Sequence, residues 1–162
     1  MYDMQTYKLA EVLGKQCREK KIVLVTAESC TGGLIGQVIT SVPGSSDWFD
    51  CGFITYSNKS KIKCLKVKEE TIKEYGAVSQ ETANEMATGA LKQSEGNISI
   101  SITGIAGPSG ECKTKPIGTV FFSIATSKEI ILEHRAVFIG NREEIRTNAL
   151  LFSLNQLLTL TL

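Results

Sequence analysis

Residues 26–33 read Thr-Ala-Glu-Ser-Cys-Thr-Gly-Gly, which brings a hydroxyl, a thiol and two glycines into one short turn between an apolar run and a helical pattern. Such a turn lies at the carboxyl end of a strand and the start of a helix, where unpaired backbone N–H groups and the helix dipole favour negative charge. Gly32 and Gly33 let a substrate come close to the backbone. The chemistry open to the turn is acyl transfer at Ser29 with an oxyanion hole, or a phosphate cradle. A plainer use stays open too, in which Ser29 or Thr31 only caps the helix. Cys30 is a second nucleophile, but no histidine is placed to activate it, and a small residue at a helix start is more often packed.

A serine nucleophile needs a base. His134 is the one histidine of the chain; it shares strand parity with Ile130, Leu132 and Ala136, which predicts a partly buried sheet residue and no catalyst. A lysine is then the base to look for, with its pKa brought down from about 10.4 by burial or by neighbouring positive charge. The segment Tyr56-Ser57-Asn58-Lys59-Ser60-Lys61-Ile62-Lys63, continued by Lys66 and Lys68, supplies such crowding. Most of these lysines belong to a solvated helix face, and at most one is catalytic.

Two further segments offer anion contacts. In Ser101-Ile102-Thr103-Gly104-Ile105-Ala106-Gly107-Pro108 a strand end runs into small residues, and Gly104, Ala106 and Gly107 permit an N–H nest. Arg142 and Arg146 stand four apart on one helix face, a spacing suited to clamping a phosphate or carboxylate; Glu143 and Glu144 offer the alternative of surface ion pairs.

The elements that must position these groups follow from periodicity. Leu9, Val12, Leu13 and Cys17 predict an amphipathic helix ending near Lys21. Residues 22–26 (IVLVT) form a strand covered on both faces, and Leu34, Ile35, Val38 and Ile39 a helix stopped by Pro43-Gly44. A strand is predicted over 48–57, one or two short basic helices over 58–76, a helix capped by Ser79, a strand over 97–103, a loop of about 15 residues, a hairpin made of GTVFFSIAT and EIILEHRAVF, and a closing helix. The order predicts a three-layer α/β/α sandwich on a mixed, mostly parallel sheet, as a single domain over residues 1–162.

Composition supports one core and excludes several partners. With 18 Lys plus Arg against 17 Asp plus Glu, the net charge of +1 gives no global field toward nucleic acid or anionic membrane, and aromatics are too sparse among the lysines for a nucleic-acid surface. The five cysteines are odd in number and form no CxxC pair, so thiols in a cytoplasmic setting are expected and no zinc or redox motif. The N-terminus has no signal-peptide core, and no run is long enough for a membrane span. The apolar C-terminal tail LLFSLNQLLTLTL could meet a second subunit, so a homo-oligomer, a dimer first, is the expected assembly.

TAESCTGG (26–33), PGSSDWF (43–49), GFITYSNKSK (52–61), GAVS (76–79), SITGIAGP (101–108), KPIGTVFF (115–122) and FIGNREEIR (138–146) together resemble the CinA C-terminal domain family. The match covers nearly the whole chain. It implies an α/β/α sandwich and, from the stand-alone members, hydrolysis of nicotinamide mononucleotide to nicotinate mononucleotide and ammonia, without metal or cofactor, as in pyridine nucleotide recycling. It also implies Ser29 as nucleophile and Lys61 as its base, with Tyr56 beside them. Asn58, Thr103, Gly104, Ala106 and Gly107 would line the nucleotide site, and Thr31, Gly32 and Gly33 would border the oxyanion. Arg142 and Arg146 would meet the phosphate, an inference from their spacing. A nucleotide-binding regulatory module without turnover is the alternative. The N-terminal nucleotide-pyrophosphatase-like domain of full-length members is missing, so that activity is not expected. The chain departs from the family pattern at Lys66, where Gly is frequent, at the loop SGECKTK, and at Asn141, where Asp is usual.

Overall fold

The computed structural model describes residues 3–161; residues 1, 2 and 162 of the expected domain lie outside it. Five strands form one sheet in the order β2-β1-β3-β4-β5. They are β1 (Leu24–Glu28), β2 (Phe49–Ile54), β3 (Ile98–Gly104), β4 (Thr119–Thr126) and β5 (Ile130–Val137). β1 pairs in parallel with both β2 and β3, β3 pairs antiparallel with β4, and β4 with β5. Only β4 therefore runs against the rest, which gives the mixed, mostly parallel sheet.

Helices cover both faces. On one side lie α1 (Met4–Lys20), α2 (Leu34–Thr40) and α6 (Arg142–Thr161), closing over Leu13, Ile35, Ile39, Trp48, Ile100 and Phe122. On the other lie α3 (Asn58–Leu65), α4 (Glu69–Tyr75) and α5 (Gln80–Lys92), around Val25, Ala27, Leu65 and Met86. β3 shows how one sequence serves both layers. Its isoleucines 100 and 102 enter the first core, while Ser99 and Ser101 donate to the α5 carbonyls of Ala87 (2.8 Å) and Ala83 (2.6 Å). Buried hydroxyls on the α5 side are thus satisfied by the helix, as burial requires.

Several expectations shift. β1 starts at Leu24 and continues through Glu28, so Ser29 follows the strand directly. The apolar C-terminal tail places Leu150, Leu154 and Leu157 in the core of its own chain. His134 is exposed and not partly buried, because β5 is an edge strand; its ring stacks on Phe152 at 4.6 Å between centroids. Among the described residues, no helix is long and apolar enough to cross a membrane.

The topology also locates the site. Chain neighbours of β1 lie on opposite sides of it, and at such a reversal the carboxyl ends of parallel strands open a crevice. Ser29 ends β1, Tyr56 follows β2 and Thr103-Gly104 ends β3.

Candidate active site

A cavity of about 210 Å³ opens at these strand ends, lined by Ser29, Tyr56, Asn58, Lys61, Thr103 and Arg142 among others. A larger cleft, about 700 Å³, lies between α1, α2 and α6 and also reaches Arg142. No serine or lysine lines that cleft, so the hydroxyl–amine chemistry belongs to the smaller cavity.

Lys61 is positioned by α3. Ser57 and Ser60 form a reciprocal capping box that fixes the start of this helix. Lys59 and Lys63 point to solvent, whereas Lys61 is 1% exposed and turns inward. Its Nζ donates to the Thr55 carbonyl at 2.7 Å, approaches the Tyr56 carbonyl at 3.4 Å, and stands 2.8 Å from Ser29 Oγ. Burial pulls the Lys61 pKa down from 10.5 to about 8, with Cys30 acting weakly in the other direction. Of the two causes open from sequence, burial and neighbouring positive charge, burial is the one that acts, because the other lysines of the run face water.

Ser29 is 7% exposed and opens into the cavity, its N–H held by the Ile102 carbonyl at 2.9 Å. Neither Ser29 nor Thr31 caps α2. The cap position is Gly33, which has no side chain to offer, and Glu28 takes over from the strand. Its carboxylate accepts from Thr31 Oγ1 (2.7 Å) and from the N–H groups of Gly33 (3.0 Å), Ile35 (3.2 Å) and Gly36 (2.9 Å). Gly32 and Gly33 take φ of 64° and 95°, a conformation that favours glycine and lets the chain fold back from Ser29 into α2. Cys30 is buried beside Ser29, and burial pushes its thiol pKa up to about 12, so it holds its proton.

The structure gathers most of the expected residues and separates others. Ser29, Tyr56, Asn58, Lys61, Thr103, Gly104, Ala106 and Arg142 surround one cavity. Thr31 is buried with its hydroxyl on Glu28, and Gly32, Gly33, Gly107 and Arg146 do not line the cavity. The Gly32 N–H goes to the Ser29 carbonyl (3.0 Å) and that of Gly33 to Glu28, so both are bonded within the turn. The two arginines diverge. Arg142 donates to the Gly107 carbonyl (2.6 Å) and to Tyr56 Oη (2.8 Å); Arg146 donates to the carbonyls of Cys30 (3.2 Å) and Thr31 (2.8 Å). Among the described residues neither pairs with a carboxylate.

Sequence reasoning missed Glu28, Ala77 and Val78. The latter two line the cavity from the loop before α5, where the Thr103 hydroxyl donates to the Ala77 carbonyl at 2.7 Å. For Glu28 a signal existed: a carboxylate at the end of a fully buried run must find donors nearby.

The model of the CinA C-terminal domain matches residues 6–161. This chain belongs to the CinA family. Among its CinA relatives is "Nicotinamide-nucleotide amidohydrolase PncC" of Escherichia coli, 43% identical over 97% of this chain and 95% of that protein. A "CinA-like protein" of Thermotoga neapolitana is 41% identical over 97% of this chain, which spans 38% of that longer CinA protein. The crystal structure of competence/damage inducible protein CihA from Agrobacterium tumefaciens, at 36% identity, superposes with a TM-score of 0.95 and covers 100% of this chain and 99% of its own.

Proposed function

We propose that this protein hydrolyses the carboxamide of nicotinamide mononucleotide, releasing ammonia and nicotinate mononucleotide, through a Ser29–Lys61 pair. The observation that carries the reading is the 2.8 Å contact between Lys61 Nζ and Ser29 Oγ at the wall of the cavity, with both side chains buried. The relative named for this substrate class, aligned over nearly its full length, supports the choice of amide.

Neutral Lys61 has two N–H bonds and one lone pair. The Thr55 and Tyr56 carbonyls accept the N–H bonds, which turns the lone pair toward the Ser29 hydroxyl. Lys61 takes the Ser29 proton as Oγ attacks the carboxamide carbon, and the carbonyl oxygen becomes an oxyanion. Collapse of that intermediate breaks the C–N bond, and the proton held on Lys61 goes to the departing nitrogen as ammonia forms. Water then attacks the Ser29 ester, losing a proton to Lys61; the acyl C–Oγ bond breaks, Lys61 returns that proton to Ser29 Oγ, and the nicotinic acid group leaves, ionising to the carboxylate in water. Tyr56 and Thr103 flank the ring and its amide, while the sugar and phosphate run outward past Arg142 toward the larger cleft. Arg142 keeps N–H groups for the phosphate beyond those given to Gly107 and Tyr56. Chromatographic identification of nicotinate mononucleotide from nicotinamide mononucleotide, beside free nicotinamide and the nucleoside, tests the substrate; turnover of free nicotinamide alone contradicts it.

A further inference from the structure

The turn that carries Ser29 is gripped from two sides by side chains absent from the cavity lining. On its amide side stands Glu28, 1% exposed, with the four donors described above. The Glu28 backbone belongs to β1, so its carboxylate ties the start of α2 to the rigid centre of the sheet. On its carbonyl side Arg146, anchored in α6, holds the oxygens of Cys30 and Thr31.

With these bonds made, the donors left over can be identified. The N–H groups of Gly33, Ile35 and Gly36 serve Glu28, that of Gly32 serves the Ser29 carbonyl, and that of Ser29 serves Ile102. Among the described residues, no backbone carbonyl takes the N–H of Cys30 or of Thr31. Thr31 is fully buried away from the cavity, whereas Cys30 lines it, so the Cys30 amide, directly after Ser29, is the donor an oxyanion there would meet.

We infer that Glu28 and Arg146 are positioning residues that clamp the Ser29–Gly33 turn, so that the Cys30 amide, and not the terminus of α2, receives the oxyanion. The inference rests on the reading of Ser29 as the nucleophile. The buried carboxylate already meets the positive end of α2. Anion affinity is thereby confined to the Cys30 amide next to Ser29.

Glu28→Gln, which places an amide N–H₂ among N–H donors, and Arg146→Lys, which cannot span two carbonyls, test the clamp. Two rates are read: phosphonylation of Ser29 by a fluorophosphonate, followed by intact mass, and ammonia release from nicotinamide mononucleotide. In each variant both rates fall at least about tenfold, with KM within about threefold, since misplacing the oxyanion donor affects the transition state and not ground-state binding. The acid limb of the pH profile stays in place because Lys61 is untouched. Rates within about twofold of wild type in folded variants, or losses that merely follow the unfolded fraction, overturn the clamp. Should Glu28→Gln fail to fold, Arg146→Lys decides alone. Labelling of wild-type Ser29 without ammonia release strikes the substrate reading, and the labelling rates still judge the clamp. A wild-type protein that is neither labelled nor active overturns the clamp, since it then has no nucleophile to position.

Discussion

The Lys61 amine lies 2.8 Å from the Ser29 hydroxyl, and the two come from helix α3, which follows β2, and from the turn that follows β1, the parallel neighbour of β2. Burial sets the protonation of this amine, and both activity and stability inherit its pH dependence.

Turnover needs neutral Lys61, so kcat/KM rises with pH and levels above about 8. The stability sign is the reverse of an ion pair's. The folded pKa lies below the unfolded 10.5, so between about 8 and 10.5 the unfolded chain binds the extra proton and folding becomes more favourable as pH rises. The span is worth about 3 kcal/mol. Raised thiol pKa values at Cys17, Cys30 and Cys51 act oppositely above pH 9. Denaturant titrations of wild type minus Lys61→Met across pH 7 to 10 isolate the lysine, and a flat difference contradicts a buried, depressed Lys61.

Cys30 stands next to Ser29, and burial raises its thiol pKa to about 12. Cys30→Ala should therefore retain kcat within about fivefold, its cost arising from lost packing rather than lost chemistry. Iodoacetamide at pH 8 should alkylate exposed Cys64 and Cys112 well before Cys30, read by peptide mass.

Gly89 of α5 holds α3 in place by having no side chain. A Cβ there would lie 1.9 Å from the Leu65 carbonyl oxygen, backbone that cannot yield without moving α3 and Lys61 with it. Gly89→Ala is expected to cost about 3 kcal/mol or more by overpacking, with activity lost in the remaining folded fraction. Equilibrium unfolding and ammonia release measure the two effects.

Lys66 closes α3 with φ of 58°, the left-handed region, at the position where the family pattern often has glycine. A non-glycine residue there costs about 1–2 kcal/mol, partly offset by glycine's greater freedom in the unfolded chain. Lys66→Gly should raise stability by about 0.5 kcal/mol, a rise in Tm of roughly 1–2 °C, with kcat unchanged.

Much of the fold was legible because its signals are local. The fully buried β1, the hairpin of β4 and β5, the Ser79 cap of α5 and the apolar stripes of α1 and α2 each follow from adjacent residues. The serine and a lysine from the Tyr56–Lys63 segment could be nominated for the same reason. What sequence could not supply is tertiary. Arg142 and Arg146 share a helix face, yet one reaches the cavity and the other the back of the nucleophile turn, a divergence fixed by where β1 ends beneath α6. The role of Glu28 depends on a glycine cap five residues ahead, and the depressed pKa of Lys61 on which lysine the fold buries. His134 failed through the position of β5, since strand parity predicts burial only where a sheet is covered to its edge.

The most direct test of the account is ammonia release from nicotinamide mononucleotide by wild type, Ser29→Ala and Lys61→Met under saturating substrate. Wild type should turn over, and each variant should lose about 10³-fold or more in kcat while still binding the nucleotide, since each removes one half of a single proton-transfer unit. Ammonia release from Ser29→Ala or Lys61→Met at near wild-type rates would contradict the Ser29–Lys61 mechanism.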